Sequence, residues 1–367
     1  MRLGIMLRHI NQHEGGVKVY TRELLRELIR QNPGHELILF FREPAHAETY
    51  AHEPGVQSVV LSAGPLLYWD QVAVPQAAKR LELDVLFNPK YSIPLSAHCK
   101  TAWVCHGLDW YVMPEASRAI DRLSHKFLVP RYAQKTDALI AVSETTREHA
   151  LQYLDLPPDR VHTVYPGISE VFHRGAGSIS VPELRERLQL PERFVLYCGA
   201  VYPPKNFRRL IQAYAKVGPA LGVPLVIAGG TNRFLSEDEL HEPDRLRLGD
   251  WVRRIGWLEH HELPALYQCA AALLLPSLYE SVGLPILEAM ACGCPVVTAD
   301  RYGTKELAEG AAVLVNPDSV DDIATGIRRV LTDKELRMRV IEAGRERAQN
   351  FTWERTAQHT LRVLESL

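Results

Sequence analysis

Short apolar runs of strand-like composition alternate with segments of helical period along almost the whole chain. Residues 2–7 predict a strand, a polar loop leads to Gly15-Gly16, and 17–31 predicts an amphipathic helix. Val17, Tyr20, Leu24, Leu28 and Ile29 of that helix fall near one face. Further strands are expected at 37–41, 59–61, 85–87, 101–105 and 138–142, with helices at about 71–80, 116–135 and 144–154. Pro130 should break or kink the helix at 116–135, because proline removes a backbone donor. Alternation of this kind implies parallel βαβ units with helices on both faces of a sheet.

Near Val164 the pattern changes. The stretch TVYPGISEVFHRGAGSIS is rich in Pro, Gly and Ser, and 166–182 reads as an interdomain linker. A second series then predicts strands at 194–198, 225–228, 252–255, 272–275, 295–298 and 312–315. Helices are expected at 206–217, 262–269 and 320–331, and the last two at 335–348 and 353–364. The expectation is an α/β chain of two Rossmann-like, doubly wound domains, 1–170 and 171–350. A terminal helix, 351–367, would pack back on the first domain.

Composition narrows the class. The 367 residues suit two domains at ~150 residues each. A formal net charge of −2 argues against a general nucleic-acid binder. No apolar run approaches the ~20 residues of a membrane span, and the start, MRLGIML, lacks a signal-peptide layout, so a cytoplasmic protein is expected. The six cysteines form no Cys-x-x-Cys pair and read as reduced thiols. His260 and His261 are adjacent and would point apart on a helix, so no metal site is expected.

Parallel sheets bind ligands outside the carboxyl ends of their strands. Gly15-Gly16, His106 and Ser143 follow such ends in the first half, and Gly199, Gly229-Gly230 and Glu280 in the second. Two such sheets with facing carboxyl edges would enclose one cleft. The most informative stretch is PSLYESVGLPILEAMACGCPVVTAD, 276–300. Pro285 suits the first turn of a helix, which puts the helix N-terminus and its free N–H groups at Gly283-Leu284. Such a terminus attracts phosphate. Glu280 and Glu288 bracket it, as would suit a ligand with both an anionic centre and hydroxyls.

Glu280 and Glu288 enclose seven residues, with GLP between them and EAMACGCPVV following. This resembles the E-x7-E signature of the retaining glycosyltransferases of family 4, which have the two-domain GT-B fold. GGVKVYTREL, VSETTREHAL, VYPGISEVF, KNFRRLIQAYA and GWLEHHELPALYQCA agree with the family's order over nearly all of the chain. The resemblance implies metal-independent transfer of a mannose- or glucose-type hexose from a nucleoside-diphosphate sugar, the co-substrate, to a glycan, lipid-linked or small-molecule acceptor. No cofactor is implied. Glu288 would hold the ribose hydroxyls, and Glu280 would sit by the donor sugar. Lys205, with the N–H groups of Gly283 and Leu284, would stabilise the departing diphosphate. Gly16 and Gly199 would allow close approach to the donor, although Gly16 also reads as a plain helix-entry glycine. The backbone around Trp257 and Leu258 would hold the base, with Trp257 reading equally as a core aromatic.

Two departures from the family pattern stand out. Its His-Asp pair reads His106-Gly107-Leu108-Asp109 here, with Asp109 expected to orient His106 or the acceptor. Its diphosphate arginine is replaced by Ala200, and Pro204 occupies the position where a subgroup has one; Arg8 or Arg208 would have to substitute. The helix at 116–135 carries Arg118, Arg122, Lys126, Arg131 and Lys135. In membrane-associated members such a face docks peripherally on anionic lipid of the inner membrane; the plainer reading is a solvated face balanced by Asp121 and Asp137. A nucleotide-sugar epimerase, a phosphorylase and a catalytically weakened sugar-nucleotide-binding protein remain as alternative readings. A nicotinamide dehydrogenase is excluded by the lack of a Gly-x-Gly-x-x-Gly turn after either first strand.

Overall fold

The structure, a computed structural model, describes residues 1–8, 10, 15–61, 64–116, 118–174, 179–230, 239 and 241–367. Most of the polar loop expected before Gly15 and part of the expected linker lie outside the described residues. Two compact units form, one of Met1–Gly167 with Thr352–Leu367 and the other of Ile168–Phe351.

The first unit holds a sheet of seven parallel strands: β1 (Arg2–Met6), β2 (Glu36–Phe41), β3 (Val56–Val60), β4 (Val85–Asn88), β5 (Lys100–Cys105), β6 (Ala138–Ala141) and β7 (Val161–Thr163). Their spatial order is β3-β2-β1-β4-β5-β6-β7. The second unit has six parallel strands: β8 (Val195–Cys198), β9 (Leu225–Ala228), β10 (Val252–Gly256), β11 (Ala272–Leu275), β12 (Val296–Ala299) and β13 (Val313–Val315). They lie in the order β10-β9-β8-β11-β12-β13. The central strands, VLFN, ALIA, VLYC, LVIA and ALLL, are buried at every position, as strands covered by helices on both faces must be. Strand order reverses between β1 and β4 in one unit and between β8 and β11 in the other. Ligands of doubly wound sheets bind outside such reversal points.

The terminal helix, Trp353–Glu365, belongs to the first unit and lies along the first helix, Gly16–Arg30. His35 reaches Glu365 at 2.8 Å, and the Gln31 amide donates to the Glu354 carbonyl at 3.2 Å. Gly167 of the VYPGISEVF motif makes this return possible, since a Cβ there would sit 2.1 Å from the Trp353 nitrogen.

Some elements depart from the sequence pattern. The helix expected at 71–80 starts earlier, at Leu66–Tyr68, and passes through a π-type stretch, Trp69–Ala73. Ala119–Lys135 is one helix with Pro130 inside it, so the expected break does not occur. Strand β7 and the helices Val181–Leu188 and Tyr302–Ala308 were not expected; the second of these helices opens at Tyr302, whose φ of 51° hides its start from any periodicity. His260 and His261 lie in the turn before helix Leu263–Cys269, not on it.

Candidate active site

At the reversal point of the second sheet, the loop after β8 meets the loop after β11. Pro203-Pro204-Lys205 forms a 3-10 turn, and Asn206 follows in the left-handed region at φ 59°, which asparagine tolerates. Its buried amide donates to the carbonyls of Pro276 at 2.9 Å and Pro317 at 2.7 Å. In return, the Pro204 carbonyl accepts from the N–H groups of Leu278 at 2.7 Å and Tyr279 at 3.3 Å. Both loops are thereby fixed to each other by their backbones. Pro204, a missing cation by family pattern, serves here as the clamp.

Inside that clamp the Lys205 ammonium pairs with Glu280, and both residues are buried, 8% and 9% exposed. Ser277 Oγ donates to the same Glu280 oxygen at 2.9 Å. Burial pulls the ammonium of Lys205 down, but the Glu280 charge and hydrogen bond outweigh it and hold the group above its ordinary range. The Glu280 carbonyl accepts from Gly303 N–H at 3.1 Å, an approach only glycine permits, because a Cβ would lie 2.4 Å from the Ser281 carbonyl oxygen.

Glu288 lies on helix Leu284–Ala291, which is capped by Gly283 at φ 95°. The residue is 7% exposed; its carboxylate accepts from Tyr267 Oη at 2.9 Å, while His260 Nε2 stands 3.7 Å from the other oxygen. Gly199, at φ 137°, has no atom within 4 Å of where a Cβ would stand, so its surface is open to a ligand. Gly229 is needed for a different reason: its Cβ would meet the Gly199 carbonyl at 2.3 Å. Leu258 is buried, whereas Trp257 is 52% exposed and so is not a core aromatic. The second unit thus pairs Lys205 with Glu280, with Gly199 directly after β8 and with Gly283 capping the helix that carries Leu284 and Glu288. Asn206, Ser277, Tyr267 and Gly303 complete the arrangement. Sequence reasoning missed these four, although the asparagine after Pro-Pro-Lys was a readable sign of a left-handed turn.

The first unit holds Gly16, His106 and Asp109. Gly16 opens the first helix after Gly15 at φ 117°, and neither has an atom within 4 Å of a built Cβ. His106 Nε2 donates to the Pro89 carbonyl at 2.7 Å, which requires the proton on Nε2. Its ring stands edge-on to Tyr20 at 4.7 Å, and Tyr20 in turn touches Trp353 of the terminal helix at 5.4 Å. Burial, with the Lys90 charge adding to it against the Pro89 hydrogen bond, pulls the imidazole down to about 4. Asp109 begins the short helix Asp109–Val112, where its carboxyl is raised by burial and accepts from its own and the Trp110 N–H. Of the proposed arginine substitutes, Arg8 is ion-paired with buried Asp70, and Arg208 lies 3.7 Å from Glu242. The charge of each is already met by a carboxylate.

Two units, each a doubly wound parallel sheet, give the chain the GT-B fold. The family "Glycosyl transferases group 1" matches residues 180–347, and "Glycosyltransferase Family 4" matches residues 14–171. D-inositol 3-phosphate glycosyltransferase of Kribbella flavida is 33% identical over 95% of this chain and 89% of its own. The chain belongs to the group 1 glycosyl transferases. O-antigen chain mannosyltransferase B of Escherichia coli is 28% identical over 72% of this chain and 74% of its own length. Among solved structures, Anabaena HepE in complex with UDP-glucose superposes with a TM-score of 0.77 at 20% identity, covering 100% of both chains. Among the described residues, no helix is long and apolar enough to cross a membrane.

The depressed His106 imidazole has a measurable consequence. Between its ordinary value of 6.5 and about 4, the unfolded chain binds a proton that the folded one excludes, so stability falls as pH falls through this window. His106→Gln keeps a donor for Pro89 but cannot titrate. Urea unfolding across that window should give a shallower acid slope for His106→Gln, by up to ~1.4 kcal/mol per pH unit. Parallel pH profiles would contradict the burial argument.

Proposed function

We propose that this glycosyltransferase moves a mannose- or glucose-type hexose from a nucleoside-diphosphate sugar to a hydroxyl acceptor, with retention and without a metal. The observation that carries this reading is the buried Lys205–Glu280 pair at the second sheet's reversal point, with Glu288 and the Gly283–Leu284 helix terminus close by in sequence. Departure of a nucleoside diphosphate develops negative charge on phosphate oxygens. Lys205 and the N–H groups of the helix terminus supply fixed positive partners for it. Glu280 serves the sugar hydroxyls and Glu288 the ribose. The names of similar proteins support the donor class: a mannosyltransferase, an inositol phosphate glycosyltransferase and a structure holding UDP-glucose. On the first unit, His106 contacts the transferred sugar through hydrogen bonding, and Asp109 stays on the acceptor side. A cytoplasmic location goes with this reading.

Peripheral membrane association is a second component, favoured by one observation. Helix Ala119–Lys135 exposes Ile120, Leu123 and Phe127, at helical spacing, among Lys126, Arg131 and the neighbouring basic residues. An exposed apolar stripe flanked by cations suits the surface of an anionic bilayer.

Three measurements test these readings. A thermal-shift panel of UDP-, GDP- and ADP-sugars should raise Tm with the cognate donor by mass action, and a flat response to every member rejects the donor class. Lys205→Ala should lower kcat by at least about two orders of magnitude; near-wild-type turnover would remove Lys205 from the mechanism. Flotation with anionic liposomes should carry the wild-type chain upward at low salt, and Leu123→Glu with Phe127→Glu should abolish it. Absence of wild-type binding ends the membrane component.

A further inference from the structure

Helix Leu284–Ala291, LPILEAMA, is apolar except at Glu288, and Ile286, Leu287, Ala289 and Met290 beside it are buried. A carboxylate set among such neighbours costs free energy unless it is hydrogen-bonded. Among the described residues, the side chain that donates to it is Tyr267, through Oη to Oε2 at 2.9 Å. His260 Nε2, 3.7 Å from Oε1, stands beyond hydrogen-bond distance. Oε1 therefore keeps its acceptor capacity, and the Glu288 side chain keeps 9% of its surface exposed.

Tyr267 lies on helix Leu263–Cys269, within the GWLEHHELPALYQCA motif, and is wholly buried, with its ring 6.1 Å from that of Phe172. Its hydroxyl also hydrogen-bonds the thiol of Cys198, the last residue of β8 and the neighbour of Gly199. An ionised carboxylate can only accept, so Tyr267 gives its one proton to Glu288, and the thiol can only donate to the phenol oxygen. Burial pushes the Cys198 thiol up to about 12, and burial with the neighbouring negative charges holds the phenol well above its ordinary range. Both groups keep their protons at neutral pH, so the chain of donors runs one way, from β8 to Glu288.

Packing does not require this hydroxyl. Phenylalanine would fill the same ring space, and an apolar residue at 288 would suit the helix better. Burying a phenol against a carboxylate instead gives up stability and fixes the carboxylate. A fixed acceptor binds hydroxyl donors without first losing rotamer freedom.

We propose that Tyr267 is a positioning residue for donor binding, its hydroxyl holding the Glu288 carboxylate in the orientation that receives the ribose hydroxyls. This rests on the reading of Glu288 as the partner of the ribose.

Calorimetry of the full chain with UDP, GDP and ADP, each beside its 2′,3′-dideoxy form, supplies the test. For the base it binds, the wild type should prefer the ribose form by at least about tenfold. Tyr267→Phe should bind that ribose form about tenfold more weakly and the dideoxy form within about twofold of wild type, because only the ribose form uses the carboxylate. A tyrosine that served packing alone would weaken both forms alike. Equal weakening of the two, or an unchanged ribose preference in Tyr267→Phe, overturns the proposal. If that variant does not fold, 4-fluorophenylalanine and 4-aminophenylalanine at position 267 repeat the comparison in a side chain of nearly the same outline. The ribose preference should fall with the first, which has no donor, and persist with the second, which has one; equal preferences overturn the proposal. Glu288→Ala reports separately on the reading beneath. Loss of the preference in Glu288→Ala but not in Tyr267→Phe defeats only this inference. A wild type that binds a nucleotide without preferring ribose defeats the assignment of Glu288, and one that binds no nucleotide defeats the donor class; the inference falls with either.

Discussion

Much of the second unit's candidate site depends on one ion pair, Lys205 with Glu280, made in a place where neither charge has much water. Two charges removed from solvent cost several kcal/mol each, and they are tolerated only when geometry and further hydrogen bonds satisfy them. The surrounding chain is shaped to that need. Ser277 donates to Glu280, Asn206 ties the lysine's turn to Pro276 and Pro317, and Pro204 closes the clamp on Leu278 and Tyr279. Gly303 then has to be a glycine, since the next helix begins directly against the Glu280 loop. Removing one partner would leave the other buried and unpaired, so the pair binds the loops after β8 and β11 into one rigid element.

The first unit answers the same topological constraint with different chemistry. Its reversal point carries His106 on the Pro89 carbonyl, and the Asn88–Ser92–Asp70–Arg8 network lies behind it. The terminal helix contributes indirectly: Trp353 packs edge-on against Tyr20, and Tyr20 against His106. A helix more than two hundred residues away in sequence thus helps hold an imidazole in place, a contact that becomes possible because Gly167 lets the backbone of Trp353 come close.

What was legible in the sequence follows from what is local. Strands such as ALIA and LVIA are buried on both faces and announce themselves as short apolar runs between helical periods. The Gly283-Leu284-Pro285 helix start is legible for the same reason, since capping chemistry lies within a few residues. Strand β7 has three residues and too little pattern to see. The role of Pro204 was illegible because its partners, Leu278 and Tyr279, are far along the chain and are bonded through backbone atoms that leave no side-chain signature. The start of the 109–112 helix engages the Asp109 carboxylate through its own and the Trp110 N–H, a local contact that the His106–Asp109 spacing does not announce.

The absent arginine at position 200 takes on a different meaning once Lys205 is seen to be paired. Ala200 offers only its carbonyl, which accepts from Tyr197 Oη at 2.9 Å. Ala200 is exposed, so an arginine there would bring a solvated charge to the site, whereas Lys205 is buried and already neutralised by Glu280. The Lys205–Glu280 pair is charge-matched by itself. On the proposed function, a diphosphate then competes with Glu280 for the ammonium, and each step of that exchange keeps Lys205 compensated. The carboxylate it releases is held by Ser277 and is left with acceptor capacity for hydroxyl donors of the sugar. A single lysine serves both states because its ammonium is a rotatable point charge, able to change partners without the fixed fork of a guanidinium.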